Sequence, residues 1–500
     1  METFKQTLKI IGIVLASLLG VVIILCVLTA VIPSFYVFGY KFVTGSVGEE
    51  QKVIEYNSET DYALNIHTGS YSVDIIADPE LEGLIGYSYK GAYFGFANMS
   101  SARLIVTEDI NALNLSMREP SGLLAKTSSK ISIYVNPNVV YDLTFRSDAG
   151  SLYVYDVALD KVNIIGGIGD VSIEAKVEEE KTGKKDNDEQ ETPKVEKVQN
   201  LSCLNITAND GTYDFSTYDK INVLGTSNIS IGNGELKFKD LNASLNIRGK
   251  ECSLSATNIS SPNGIKMVCS SGNISAQMID AGTSEFVLIA DNLNVNAQNV
   301  KAQVGITATG GNVYIKEIEG EAIIKTTSAD IKVEKAHNNI FATATSGNIV
   351  VEKYYMTGQF VTTSGNITVN SLSELNTEYY STLASSSGTI TFENNFNKSS
   401  VSITGKGVAK IKYWNVAQSG NVEHEVYIPN GEASIGIMAF ATDIFRMRLV
   451  GDVVGSINNL LLYANDNFIY HPVNSTSFLN QTTFVCTGQV LTFSKLDLQQ

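Results

Sequence analysis

Thr309-Gly310-Gly311-Asn312-Val313-Tyr314-Ile315 is followed eighteen residues on by Thr327-Ser328-Ala329-Asp330-Ile331-Lys332-Val333. Two further steps of eighteen give Thr345-Ser346-Gly347-Asn348-Ile349-Val350-Val351 and Thr363-Ser364-Gly365-Asn366-Ile367-Thr368-Val369. Gly followed by Asn or Asp adopts left-handed backbone angles at low cost, so each unit contains a tight turn. After the turn, apolar residues alternate with variable ones: Ile331 and Val333, Ile349 and Val351, Ile367 and Val369. Period two marks a strand with one buried face. A second alternating run precedes each turn, with Ile324 and Thr326, Ala342 and Ala344, and Phe360 and Thr362 in equivalent places. Each unit therefore supplies two short strands and two corners.

A unit this short cannot bury its own apolar face, and stacking the units buries those faces against one another. The predicted fold class is all-β: a parallel β-solenoid, or β-helix, of ~18–23-residue turns, rising about 4.8 Å per turn. Asn312, Asn348 and Asn366 are predicted to stack as a ladder along one edge. Degenerate copies lie downstream, at Ser387-Gly388-Thr389-Ile390, and upstream, at Ser271-Gly272-Asn273-Ile274, Asp210-Gly211-Thr212-Tyr213, Gly169-Asp170-Val171, Ala149-Gly150-Ser151 and Thr68-Gly69-Ser70.

Gly169 and Gly211 are too far apart for one turn until the stretch from Lys176 to Gln199 is read. It is Lys, Glu and Asp with almost nothing apolar, and such sequence cannot offset its ordering entropy by burial. Removing residues 176–199 restores a one-turn spacing, which predicts a mobile charged loop bulging from the solenoid. The alternative is a linker between two domains. The solenoid is predicted to span residues 43–414. The aromatic run Tyr87, Tyr89, Tyr93, Phe94 and Phe96 is predicted to be a capping or contact region. Beyond Trp414 the spacing loosens, so residues 415–500 are read as an irregular β-rich extension or cap. Within it, the apolar runs between Gly436 and Leu462 are compatible with a helix, and Thr483 to Gly488 with a last strand and turn.

The N-terminus bears on compartment. No charged residue occurs between Lys9 and Lys41, and Ile10 to Ile32 is almost wholly Leu, Ile, Val and Ala. A helix of roughly 20 apolar residues crosses a hydrocarbon core. Residues 10–32 are therefore predicted to be a transmembrane helix, with 1–9 as a short cytoplasmic tail and the bulk of the chain extracellular, because Lys5 and Lys9 precede the span. A cleavable signal ending after Ala30 is the alternative.

Composition agrees with many short strands: 40 Gly, 8 Pro and one Trp, with helix formers scarce outside the apolar run. A formal charge of −16 excludes nucleic acid as the natural partner of the outer part. Of five cysteines, Cys26 lies in the apolar run, and none forms a C-x-x-C pair that would point to zinc. Cys252 and Cys269 lie about one repeat apart, which leaves open whether they pair; buried free thiols are expected.

The phrase Lys130-Ile131-Ser132-Ile133-Tyr134-Val135-Asn136-Pro137, running on through Tyr141-Asp142-Leu143-Thr144-Phe145 to Ala149-Gly150-Ser151-Leu152-Tyr153-Val154, adds a family signal. Together with the Thr-Ser-Gly-Asn-Ile units it resembles the bacterial β-solenoid domain family known as "putative adhesin", a domain of unknown function. The resemblance covers Ile131 to Phe392. It implies a membrane-anchored β-solenoid and brings no catalytic residues. The charged loop and the less regular C-terminal segment depart from it.

Chemistry is sparse. His67, His337, His424 and His471 are not spaced as a metal pair, and no H-E-x-x-H occurs. Glu423-His424-Glu425 is the most ligand-like cluster, but on a strand His424 points away from the two carboxylates. Gly166-Gly167-Ile168-Gly169 lacks the ending of a phosphate loop. The outward row Tyr314, Lys332, Val350 and Thr368 reads as a solvated sheet, and Asp330 and Glu334 stand apart from other carboxylates. No catalytic, metal-binding or cofactor-binding residue is expected, and the Asn-x-Ser/Thr triplets are products of the turn motif. The expected function is that of a non-catalytic, membrane-anchored surface module, adhesin-like, with cell-wall polymer or an envelope protein as partner. The alternatives are an envelope structural or regulatory component acting on other membrane proteins and a carbohydrate-active β-helix enzyme.

Overall fold

A computed structural model of the chain describes residues 12–17, 19, 20, 24, 34–37, 40–55, 62–81, 84–97, 103–109, 111–118, 122–175, 196–372, 378–395, 398–414, 422–438, 445–454, 463–465, 468–471 and 482–496. Internal contacts divide the chain into two units: Met1–Val195 with Gln199–Thr217, and Glu196–Val198 with Tyr218–Gln500.

The second unit is a parallel solenoid. Ala322–Thr326 pairs with Ile340–Ala344, that strand with Gly358–Thr362, and that with Tyr380–Ser385, all parallel. The partner strands after each corner, Asp330–Ala336, Ile349–Tyr354, Ile367–Ser371 and Thr389–Asn394, stack likewise. The step is 18 residues from Asp330 to Asn348 and 23 from Asn366 to Thr389. Ile265–Ile318 runs through 54 residues of continuous pairing. Regular stacking continues past Trp414: Glu423–Ile437 lies on Lys398–Ile403 and Val408–Tyr413, and Thr482–Lys495 lies on Glu423–Ile437. Phe445–Val454 is a strand, so the described part of the Gly436–Leu462 stretch holds no helix.

The alternation does what the repeat requires. Ile331, Val333, Ile349, Val351, Ile367 and Val369 are buried, each worth about 1.5–3 kcal/mol. Ile324, Ala342, Phe360 and Leu383 occupy one interior column, and Ala342 beneath Phe360 keeps the summed volume even. Thr326 and Thr362, read as members of the apolar face, do more than fill it. Both are buried and face their corners, where Thr326 Oγ1 donates to the Ala329 carbonyl at 2.9 Å and Thr362 Oγ1 accepts from the Gly365 amide at 3.0 Å. Ser385 accepts from Gly388 in the same way at 2.8 Å. A buried hydroxyl three residues before each of these turns thus satisfies a corner backbone group.

The first unit stacks its coils out of chain order. Tyr62–Thr68 lies between Ala112–Arg118 on one side and Tyr141–Ser147 on the other, all parallel. Ser72–Ala77 lies between Gly122–Val135 and Leu152–Tyr155. The intervening chain forms antiparallel pairs: Leu84–Ala97, which carries the aromatic run, bonds to Tyr40–Glu55 and to Gly122–Val135. Further along, Leu159–Ile168 pairs with Cys203–Asp214 across a step of 42 residues, as Asn163 with Asn205. The charged stretch sits inside that step. Residues 176–195 of it lie outside the described residues, and Gln199, assigned to the loop, is buried with Nε2 donating to the Leu159 carbonyl at 2.6 Å.

Among the described residues no helix is long and apolar enough to cross a membrane. Within 10–32, residues 12–17, 19, 20 and 24 are helical, with Ile13, Val14, Leu15, Leu19 and Ile24 exposed, and the remaining positions lie outside the described residues.

Candidate interaction surface

The two outward faces of the second unit differ in chemistry. The face before the corner carries two columns of outward residues, to which Tyr380 and the charged Lys398 add a third position on the last two coils. Register places Ile323, Phe341, Gln359, Thr382 and Ser400 in one column, continued by Gly305 and then by Val287, whose Cγ2 would lie 3.6 Å from a Cβ on Gly305. The neighbouring column is Ile289, Thr307, Lys325, Thr343, Val361, Ala384 and Ser402. Of these fourteen described positions on seven coils, Lys325 alone is charged. Ile289 and Ile323 are each 41% exposed, and Phe341, Val287 and Val361 are half-buried. In a chain of net charge −16 this strip is unusually neutral, with Ile289, Ile323, Phe341 and Val361 set among Thr, Ser and Gln, and exposed apolar side chains grouped in this way mark a contact site.

The face after the corner is charged, and many of its charges are paired within it. Tyr314 donates its hydroxyl to Glu334 at 2.6 Å, and Lys332 pairs with Glu352 at 3.1 Å. Glu317 accepts from His337 at 2.5 Å and from Lys335 at 3.0 Å, and these two partners hold its carboxyl below the usual range. The His337 and Tyr355 rings stack in successive coils with centroids 5.5 Å apart, so they turn their faces to each other and away from solvent. Glu393 is shared by Lys412 and the Trp414 indole, each at 3.0 Å. Stacked rings and paired charges leave this face little to offer a partner. Sequence reading placed Tyr314 and Lys332 in a solvated row, as found, but missed the Glu317–His337–Tyr355 cluster, which only coil register assembles.

Glu423 and Glu425 are exposed, while His424 turns inward, as strand geometry requires. Its Nδ1 lies 2.9 Å from Ser399 Oγ, which in turn meets the Tyr413 hydroxyl at 3.1 Å, and its ring packs on Phe484 at 4.9 Å. Complete burial drives its pKa down to about 3, so the ring is neutral. Among the described residues no group of three or more His, Cys, Asp or Glu side chains comes together to hold a metal.

Residues 192–390 match the family model described as Toastrack DUF4097. Over these 199 of 500 residues the chain is similar to the Toastrack DUF4097 domain. This is a domain of unknown function, and it confirms the family resemblance read from the Thr-Ser-Gly-Asn-Ile units. The Lys130–Val154 phrase that shared in that reading lies outside the matched segment. The matched segment contains the strip from Val287 to Ala384, and its last members, Ser400 and Ser402, lie beyond it. Among solved structures, a "putative cell adhesion protein" from Clostridium sporogenes is 10% identical over 90% of this chain and 99% of its own, with a TM-score of 0.14. A "putative adhesin" from Bacteroides fragilis is 9% identical over 90% and 97%, with a TM-score of 0.15. At such scores the likeness carries no argument. No curated protein matches the chain.

Proposed function

We propose that the chain is a non-catalytic surface module, held in a membrane by residues 10–32 with its bulk outside the cell, that binds an extended uncharged partner along the neutral strip. Cell-wall polymer or an envelope protein fits that description. The observation that carries the reading is the strip itself: fourteen outward positions on seven coils with one charge, opposite a face that carries several ion pairs. Repeat scaffolds bind through long surfaces of this kind. The anchor is supported by the uncharged run between Lys9 and Lys41 and by the exposed apolar side chains of its described helical residues. The experiment is to incubate the full chain with whole cells and with isolated wall fractions, then measure retention and sugar release. Retention without release is the expected result. Release of sugar would make the protein an enzyme, and co-purification with a membrane protein without wall retention would make it an envelope component.

A further inference from the structure

Cys252 and Cys269 sit on adjacent coils of the second unit, on either side of one corner. Register pairs Gly249 with Cys269 and Cys252 with Gly272, so each cysteine faces a glycine of the neighbouring coil. The glycines make room for the sulfurs. A Cβ on Gly249 would lie 2.5 Å from Cys252 Sγ, and one on Gly272 would lie 3.0 Å from Cys269 Sγ. Both thiols are free and buried, at 3% and 8% exposure, with Cys269 the more open. Cys252 Sγ donates to the Ile231 carbonyl at 3.8 Å. The neighbouring Cys252 thiol holds Cys269 below the usual range, and the Cys269 thiol together with burial pushes Cys252 up.

We propose that Cys252 and Cys269 are a dithiol–disulfide site, oxidised by exchange with a small disulfide such as oxidised glutathione, whose closure staples two successive coils together. The Cys269 thiolate attacks one sulfur of the glutathione disulfide, breaking its S–S bond and releasing one glutathione thiolate, which takes up a proton. Cys252 then loses its proton to solvent and attacks the Cys269 sulfur of the mixed disulfide, releasing the second glutathione. Two protein thiols are oxidised and one glutathione disulfide is reduced, so electrons balance. Cys203 and Cys486 have no such neighbour in register among the described pairings and serve as internal controls.

The full chain in detergent micelles is equilibrated with mixtures of oxidised and reduced glutathione, acid-quenched, alkylated in denaturant and mapped without reduction. The expected result is a cross-linked Cys252–Cys269 peptide and a rise in Tm of the oxidised chain, both lost in Cys252→Ala and in Cys269→Ala. Each variant's circular dichroism is recorded to confirm that it folds. Complete alkylation of both cysteines at every mixture, even after refolding in oxidised glutathione, would overturn the proposal. So would linkage of either one to Cys203 or Cys486 in preference, or a Tm rise that persists in the alanine variants.

Discussion

Asn348 brings both its backbone amide and its side-chain Nδ2 to Oδ1 of Asp330, at 2.7 and 3.1 Å. The next coil repeats the contact, with the Asn366 amide on Asn348 Oδ1 at 3.0 Å, and Thr389 repeats it again on Asn366 at 2.9 Å. The corner is therefore a hydrogen-bonded ladder, and Asp330 is the acceptor from which these rungs start. Asp330→Ala is expected to cost about 1 kcal/mol in urea unfolding, whereas Asp330→Asn, which keeps an acceptor oxygen, should cost less than half of that. Equal losses in the two variants would remove the ladder from the account.

Gly347 and Gly365 allow the coils to approach. A Cβ on Gly347 would stand 2.0 Å from the Ala329 carbonyl oxygen, and one on Gly365 would stand 2.0 Å from the Gly347 carbonyl oxygen, both backbone atoms. Gly305 differs: its Cβ would meet only Val287, at an ordinary 3.6 Å. Gly347→Ala should cost about 2–3 kcal/mol by overpacking, and Gly305→Ala should fall within about 0.5 kcal/mol of the parent. Denaturant midpoints of the two variants check this directly.

Burial of His424 sets an acid limit. Its folded pKa of about 3 lies below the unfolded value, so between the two the unfolded chain binds the extra proton. Stability is thus full above roughly pH 6.5 and falls as pH drops toward the folded pKa, with a slope approaching about 1.4 kcal/mol per pH unit from this group. His424→Gln, although less stable at neutral pH, should lose that part of the acid slope. An unchanged slope would mean that the ring is protonated in the folded protein.

The solenoid was legible because a small residue, then Asn or Asp, then alternating Ile or Val recur at a fixed step of eighteen from Asn312 to Asn366. The coil at Glu423–Ile437 was harder to see because its step from Ser399 to His424 lengthens to 25 residues. In the first unit the step from Ser72 to Ser151 is 79 residues. The antiparallel strands in between lack the eighteen-residue phase, so no periodicity reveals that Tyr62–Thr68 is an interior coil. The corner hydroxyls of Thr326, Thr362 and Ser385 were hidden for a different reason: a buried threonine and a buried valine occupy the same place in a period-two pattern. Inward orientation of His424 followed from strand alternation alone. The neutral strip was not legible. Ile323, Phe341 and Val361 are scattered outward positions in the sequence and become one surface only through coil register.

That strip is where the account is most exposed to test. The full chain, its Ile323→Glu/Phe341→Glu variant and a Thr368→Glu control on the opposite face are each incubated with isolated wall and envelope fractions, and the bound fraction is measured by co-sedimentation. All three substituted side chains point outward, so Tm and circular dichroism should stay close to the parent. The account predicts that the double variant loses retention at least about tenfold, equivalent to about 1.4 kcal/mol, while Thr368→Glu binds like the parent. Undiminished retention of a folded double variant, or an equal loss in the control, would contradict it.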